Sequence, residues 1–529
     1  MARVRKDVWQ LPANDKTLFW YGEAIKTLQA KPITDITSWW SLAAMHGIDR
    51  QLWIDLGYLD ATVTLPFNPN ALGFWNQCQH GSWYFLPWHR AYLAAFEAIL
   101  LDAIVKKGGP ADWALPYWNY DPTRPNTLRF PAAFAQEFLD DGSKNPLWVK
   151  ERYGRRGNGA ITIRAADVPV VQLWQEPDFF NEPDDIPTSF GGTRTAFSHG
   201  GAGPGLLEQV PHGPVHVLVG GTKEGADPDI AENNGLMAMF ETAGIDPIFW
   251  LHHANIDRLW ESWLTVRRRP QDPPDAYENP TDTDWLDQPA GEFVMPRPDG
   301  TTFTTTARQV LNTRDPALNY EYQDISIAGQ QPLLAARLNR LGVPTADANQ
   351  LAGALAMASR KSTELVGQTS TAVRIAGPAT DASVQLDSGA TRNLTANLSV
   401  RSLARAAPGA APQAPDRVYL ALENITSSTD AGVFNVYVNL PKGANPAEHP
   451  ENLAGVVSLF GARAASKAGG PHAGAGLTQT LEITDIVDAM HLKGELNTQT
   501  LDVKFVPETP ISANSKVDVG RVRIYRQSR

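Results

Sequence analysis

The chain has 529 residues, 46 Lys and Arg against 57 Asp and Glu, and a formal net charge of −11. An acidic surface of this kind disfavours nucleic acid and anionic membrane as partners, and no stretch approaches the ~20 consecutive apolar residues that span a bilayer. The one cysteine, Cys78, excludes an intrachain disulfide; the N-terminal Met1-Ala-Arg-Val-Arg-Lys lacks the apolar core of a signal peptide, so the expected location is cytoplasmic unless a partner exports the chain.

In chain order, the first informative element is Trp39-Trp-Ser-Leu-Ala-Ala-Met-His46, which reads as a helix ending on a histidine. His80 and His89 follow, the latter just ahead of Ala91–Leu101, a run of strong helix formers with an apolar stripe. In Pro211-His-Gly-Pro-Val-His216 the two histidines stand four apart, which on a helix puts both rings on one face. In the segment from Gly244 to Trp260, Asp246 is a good N-cap and Pro247 a good first helical residue, so the adjacent pair His252 and His253 lies about two turns inside.

Eight of the eleven histidines fall between His46 and His253, a clustering that scattered structural histidines do not produce. Six form two triads: His46, His80 and His89, then His212, His216 and one of His252 or His253. Two sets of neutral nitrogen ligands without a carboxylate suit an ion that changes charge by one electron, and point to a pair of coppers held by the facing helices of a bundle.

Beyond Asp284-Trp-Leu-Asp287 the character changes. Residues 329–362 are rich in Ala and Leu and look helical, residues 363–416 are rich in Ser, Thr, Ala and Pro, and Ala406–Pro415 reads as a linker. Val418–Leu422, Val433–Asn439, Leu501–Val506 and Val517–Tyr525 then alternate with the period of strands. The expected fold is therefore mainly α, a central four-helix bundle followed by a smaller C-terminal all-β sandwich, with boundaries at 1–328, 329–416 and 417–529.

Four pieces carry a resemblance to a known family: Cys78-Gln-His80 through His89-Arg-Ala-Tyr-Leu93, Leu115-Pro-Tyr-Trp-Asn119, Pro211–His216 and Asp246–Arg258. Together they resemble the type-3 copper proteins, which are tyrosinases, catechol oxidases (plant polyphenol oxidases) and hemocyanins. The resemblance implies two copper ions with O₂ as co-substrate, one copper on His46, His80 and His89, the other on His212, His216 and His253, with His252 as a neighbour. It implies a thioether from Cys78 to His80, an aromatic gatekeeper at Phe240, and a water-ordering carboxylate at Glu208.

Where many monophenol-active members carry asparagine after the first ligand of the second site, this chain has Gly213. The departure favours the diphenolase reaction and implies a wider pocket. The implied activity is oxidation of o-diphenols to o-quinones, with ortho-hydroxylation of monophenols as an extension. An o-aminophenol oxidase and a hemocyanin-like oxygen-binding protein are the alternatives. The implied partners are a small phenolic substrate and a copper chaperone or carrier protein, and the C-terminal part resembles the plant domain that shields the site. Asn255, Asp257 and Arg258 are expected to orient a ligand ring through its second nitrogen.

Overall fold

The computed structural model describes all residues except 1, 71–72, 184, 187, 198–202, 267–275, 289–292, 328–332, 356–361, 400–413, 469–473, 498 and 529. Five helices of the first half position the histidines: α1 (Thr17–Gln29), α2 (Trp39–His46), α3 (Phe85–Lys106), α4 (Gly213–Gly220) and α5 (Pro247–Leu264). Two of them start at a side-chain cap. The Ser38 hydroxyl accepts from the backbone N–H of Ser41 and caps α2, and Asp246 accepts from that of Ile248 and caps α5, with Pro247 at the first helical position. α2 stops at Gly47, where an added Cβ would lie 2.6 Å from the carbonyl oxygen of Phe240; only glycine lets the two chains pass so closely.

Buried residues cover most of α3 and α5, as expected for helices at the centre of a core rather than on its surface. A buried charge network fastens them to the short strand Arg3–Arg5. Arg5 meets Glu97 at 2.7 Å and Asp257 at 3.3 Å, Arg90 meets Asp257 at 2.6 Å, and the Tyr320 and Tyr322 hydroxyls each donate to Asp257 at 2.6 Å. Removing one partner of such a network leaves an uncompensated buried charge, which costs about 3–5 kcal/mol.

The C-terminal half corrects the expected all-β sandwich. It begins with α6 (Leu333–Arg340) and α7 (Thr345–Leu355), followed by β1 (Ser362–Gln368), β2 (Val373–Ile375), β3 (Thr380–Leu386) and α8 (Ser388–Asn397). Beyond these come β4 (Arg417–Thr426), β5 (Val433–Val438), β6 (Leu453–Ser458), α9 (Ala462–Ala465), β7 (Leu477–Glu482), α10 (Thr484–Lys493), β8 (Thr500–Pro507) and β9 (Val517–Ser528). All nine strands join one antiparallel sheet in the order β6-β5-β8-β3-β1-β9-β4-β7, with β2 added on β9.

This is one strongly curled sheet, not two stacked ones. Its edges approach each other, the Gln479 amide on β7 donating to the carbonyl of Ser458 on β6 at 2.8 Å. Helices belong to the unit as well: Arg337 of α6 pairs with Asp488 of α10 at 2.7 Å in a buried contact. With 35% helix and 20% strand, the chain is mixed rather than mainly α.

The reason for the difference lies in β1 and β3. Both are mostly polar and outward-facing, with Val366 and Val384 turned into the core, so neither shows the composition of a buried strand. The expected linker Ala406–Pro415 lies outside the described residues up to 413. Its last residue is held, the Pro415 carbonyl accepting from Arg337 at 2.9 Å. No described helix is long and apolar enough to cross a membrane.

Candidate metal centre

The fold brings both triads together in the core. His46 closes α2, His80 sits in the loop before α3, and His89 is in that helix's second turn; their ring centroids are 5.1, 5.8 and 5.1 Å apart. His212 precedes α4 with helical backbone angles, His216 follows one turn later, and His253 comes from α5, with separations of 4.5, 5.0 and 5.4 Å. The two sets face each other through His89 and His253, whose rings stack at 4.5 Å with 15° between planes.

Second nitrogens orient several rings, an arrangement that sets which nitrogen is left to bind an ion. His46 Nδ1 lies 3.0 Å from the carbonyl oxygen of Phe240, His89 Nδ1 is 2.7 Å from that of Phe85, and His216 Nδ1 is 2.8 Å from that of Met237. His80 Nδ1 faces Cys78 Sγ at 3.2 Å. Burial lowers every ring of the second triad and His89 far below the usual imidazole range, His89 and His216 to about 3, so these rings are neutral.

The donor set fits a metal ion. His89 Nε2, both nitrogens of His212 and His253 Nδ1 are buried with no hydrogen-bond partner among the described residues. Leaving such groups unpaired is costly, and a bound cation offsets that cost. His216 Nε2 and His253 Nε2 stand 3.2 Å apart, close to the ~3.4 Å expected of two nitrogens each about 2.0–2.1 Å from one tetrahedral ion such as zinc. No carboxylate belongs to the described clusters of potential ligands around these rings, which favours an imidazole-loving ion over calcium or magnesium.

The neighbours take distinct places. Phe240 stacks on the His80 ring at 4.3 Å. Glu208 accepts the backbone N–H of Gly81 on both carboxylate oxygens at 2.9 Å, and burial pushes it up to about 8 against the opposing effect of that bond. Arg258 bonds Asn255 at 2.8 Å and Asn119 at 3.1 Å, and Asp257 belongs to the charge network of the core.

One residue carried no signal in the sequence. Phe460, just past β6, stacks on the ring of His216 at 4.1 Å with 21° between planes and meets Phe240 edge-on at 4.5 Å. Gly461 allows this: with φ of 84° it is in the left-handed region, and a Cβ there would lie 2.6 Å from the Phe240 ring. Arg463, two residues on, reaches Glu241 at 2.6 Å, and the Thr480 N–H of β7 donates to Gln209 at 3.0 Å. Ser458 stands against Gly213, 3.3 Å from where a Cβ would be, so the space opened by that glycine is taken by the C-terminal sheet. The cavity left among His80, Glu208, His212, Phe240 and Phe460 is about 30 Å³, which holds water but no aromatic ring. Nothing local in the sequence distinguishes Phe460 from ordinary core.

Comparison with known proteins bears on the same residues. Residues 36–266 match the family model described as the common central domain of tyrosinase, and residues 362–527 match a domain of unknown function, DUF7868. Tyrosinase HcTyr1 of Hahella sp. (strain CCB-MM4) is 30% identical over 99% of this chain and 99% of its own length. Polyphenol oxidase E of Solanum lycopersicum is 32% identical over 46% of this chain and 38% of that protein. In three dimensions, latent apple tyrosinase shares the fold, with a TM-score of 0.53, 22% identity, and coverage of 99% of this chain and 97% of that one. The full-length likeness to a bacterial tyrosinase and the match of the central domain together make this chain a member of the tyrosinase family, a copper oxidase acting on phenols.

Proposed function

We propose that the chain holds two copper ions, one on His46, His80 and His89 and one on His212, His216 and His253, and uses O₂ to oxidise o-diphenols to o-quinones. The observation that carries this reading is the face-to-face placement of two three-imidazole sets at His89 and His253. Bound there, the two ions would supply the one-electron steps that O₂ and a diphenol exchange. The protein's own residues do the rest. Phe240 and the ring of His80 form an aromatic surface beside which a substrate ring stacks, and burial of both triads excludes bulk water. Glu208, tied to Gly81, holds a water or takes the phenolic proton at the mouth.

The C-terminal sheet, in this reading, keeps the enzyme latent, Phe460 standing where a substrate ring would enter. Gly213, where many monophenol-active members carry asparagine, favours the diphenolase reaction, and in the closed form Ser458 fills the gap beside it.

The test is elemental analysis of copper-loaded full-length protein with O₂ uptake on a monophenol, its o-diphenol and an o-aminophenol, before and after limited proteolysis of the C-terminal part. Two coppers per chain and, after cleavage, preferred turnover of the diphenol are expected; one metal per chain, or reversible O₂ binding without turnover even after cleavage, overturns the proposal. Cys78 and His80 are also read as joined by a thioether. An intact mass about 2 Da below that of the chain, from loss of two hydrogens to O₂ as the two-electron oxidant on bond formation, supports the bond, and a titratable Cys78 thiol in loaded protein rules it out.

A further inference from the structure

His252 belongs to neither proposed triad, yet its ring lies inside the second one. It is parallel to His212 at 5.4 Å with 22° between planes and edge-on to His216 at 4.8 Å. One nitrogen from each of His212, His216, His252 and His253 lies within 4.8 Å of the others, all four residues being buried. The Nδ1 of His252 is 3.0 Å from the Tyr120 hydroxyl, and its Nε2 has no hydrogen-bond partner among the described residues. A tyrosine hydroxyl both donates and accepts; when it accepts from Nδ1–H, the Nε2 lone pair of His252 is open.

His212 is the ring with the least restraint. Neither of its nitrogens has a hydrogen-bond partner among the described residues. It also lines the small cavity at the mouth, while His252 is not among that cavity's lining residues. Four imidazoles thus surround a position for which three suffice, and the ring without a hydrogen bond stands between the mouth and the fourth.

We propose that His252 is a reserve ligand of the second metal site. An ion held by His216 and His253 takes its third nitrogen from His212 or from His252, so that giving up the His212 nitrogen does not leave the ion with two ligands. This rests on the ligand assignment made above. The exchange concerns loading of the ion, before any phenol binds.

Full-length protein is loaded with copper alone, metal per chain is counted, and retention is followed against a chelator. H212A is expected to keep two coppers per chain, with the second held about 10–100-fold more weakly, the range typical of losing a supporting partner rather than the site. H212A/H252F is expected to fall to one, and H252F alone to reach two with slower uptake. A drop to one copper in H212A alone, or two coppers in the double variant, overturns the proposal. H252N in the H212A background replaces H252F if far-UV circular dichroism shows that the phenylalanine unfolds the chain. H216A separates the two readings: if it still holds two coppers, the ligand assignment itself has failed.

Discussion

The two halves of the metal centre are built differently. Each ring of the first triad has a partner for its second nitrogen: the Phe240 carbonyl for His46, Cys78 for His80 and the Phe85 carbonyl for His89. In the second triad, among the described residues, only His216 has a backbone anchor; His212 is held by stacking, and His253 by stacking and by its Nε2 at 3.2 Å from that of His216. The second half is also the one on which the C-terminal sheet rests, through Phe460 on His216 and Ser458 on Gly213. A site can therefore be rigid on one side and depend, on the other, on a contact from more than 200 residues away.

Removing that contact gives the largest expected effect. Phe460 is 7% exposed, and truncating a buried phenylalanine to alanine costs about 3–5 kcal/mol. If the contact belongs to the closed form alone, F460A raises o-diphenol turnover by intact protein about 100-fold or more, since 1.4 kcal/mol is a factor of ten. Equal rates for the two proteins would mean that the sheet does not shield the second half.

Glu208 joins the halves, because it lies on the segment of His212 and bonds the N–H next to His80. It ionises near 4.5 when unfolded and only near 8 in the fold, so the native state binds more protons between those values. Stability from this group is greatest below about pH 4.5 and is lost as pH rises toward 8. At pH 7 the loss approaches about 3 kcal/mol at 1.36 kcal/mol per unit. Urea unfolding of metal-free protein should show E208Q gaining on the parent by up to that amount between pH 4 and 7; parallel pH profiles would contradict the raised value.

The smallest effect is expected at Gly213. G213A places a methyl group 3.3 Å from Ser458, an overpacking worth about 1 kcal/mol, and turnover of the intact chain should rise about fivefold as the sheet is loosened. S458G in the same chain should restore the parent rate. Additive effects would show that the two residues do not touch in solution.

Much of the helical half was legible in the chain. The start of α5 at Asp246-Pro247 and the end of α2 at His46 follow from capping and periodicity, which act within a few residues. Strands β4, β5, β8 and β9 were visible because they are rich in β-branched and aromatic residues, and in β8 and β9 burial alternates as in a sheet with one buried face. β1 and β3 escaped notice because polar, exposed strands resemble loop sequence, and their pairing with β9 and β8 spans more than 100 residues.

The sequence by itself determined the donor chemistry: a cluster of imidazoles in the first half, with His212 and His216 one helical turn apart, while the family resemblance pointed to Cys78, Phe240 and Glu208. Spacing along a helix is a local property, so the His212 and His216 pair could be read without knowing what packs where. Tertiary structure alone decided that His252 enters the second triad, that Gly213 is filled by Ser458, and that Phe460 closes the mouth. Each of these is a contact between surfaces distant in the chain, set by the shape of the curled sheet and the core it rests on, and no short stretch of sequence encodes it.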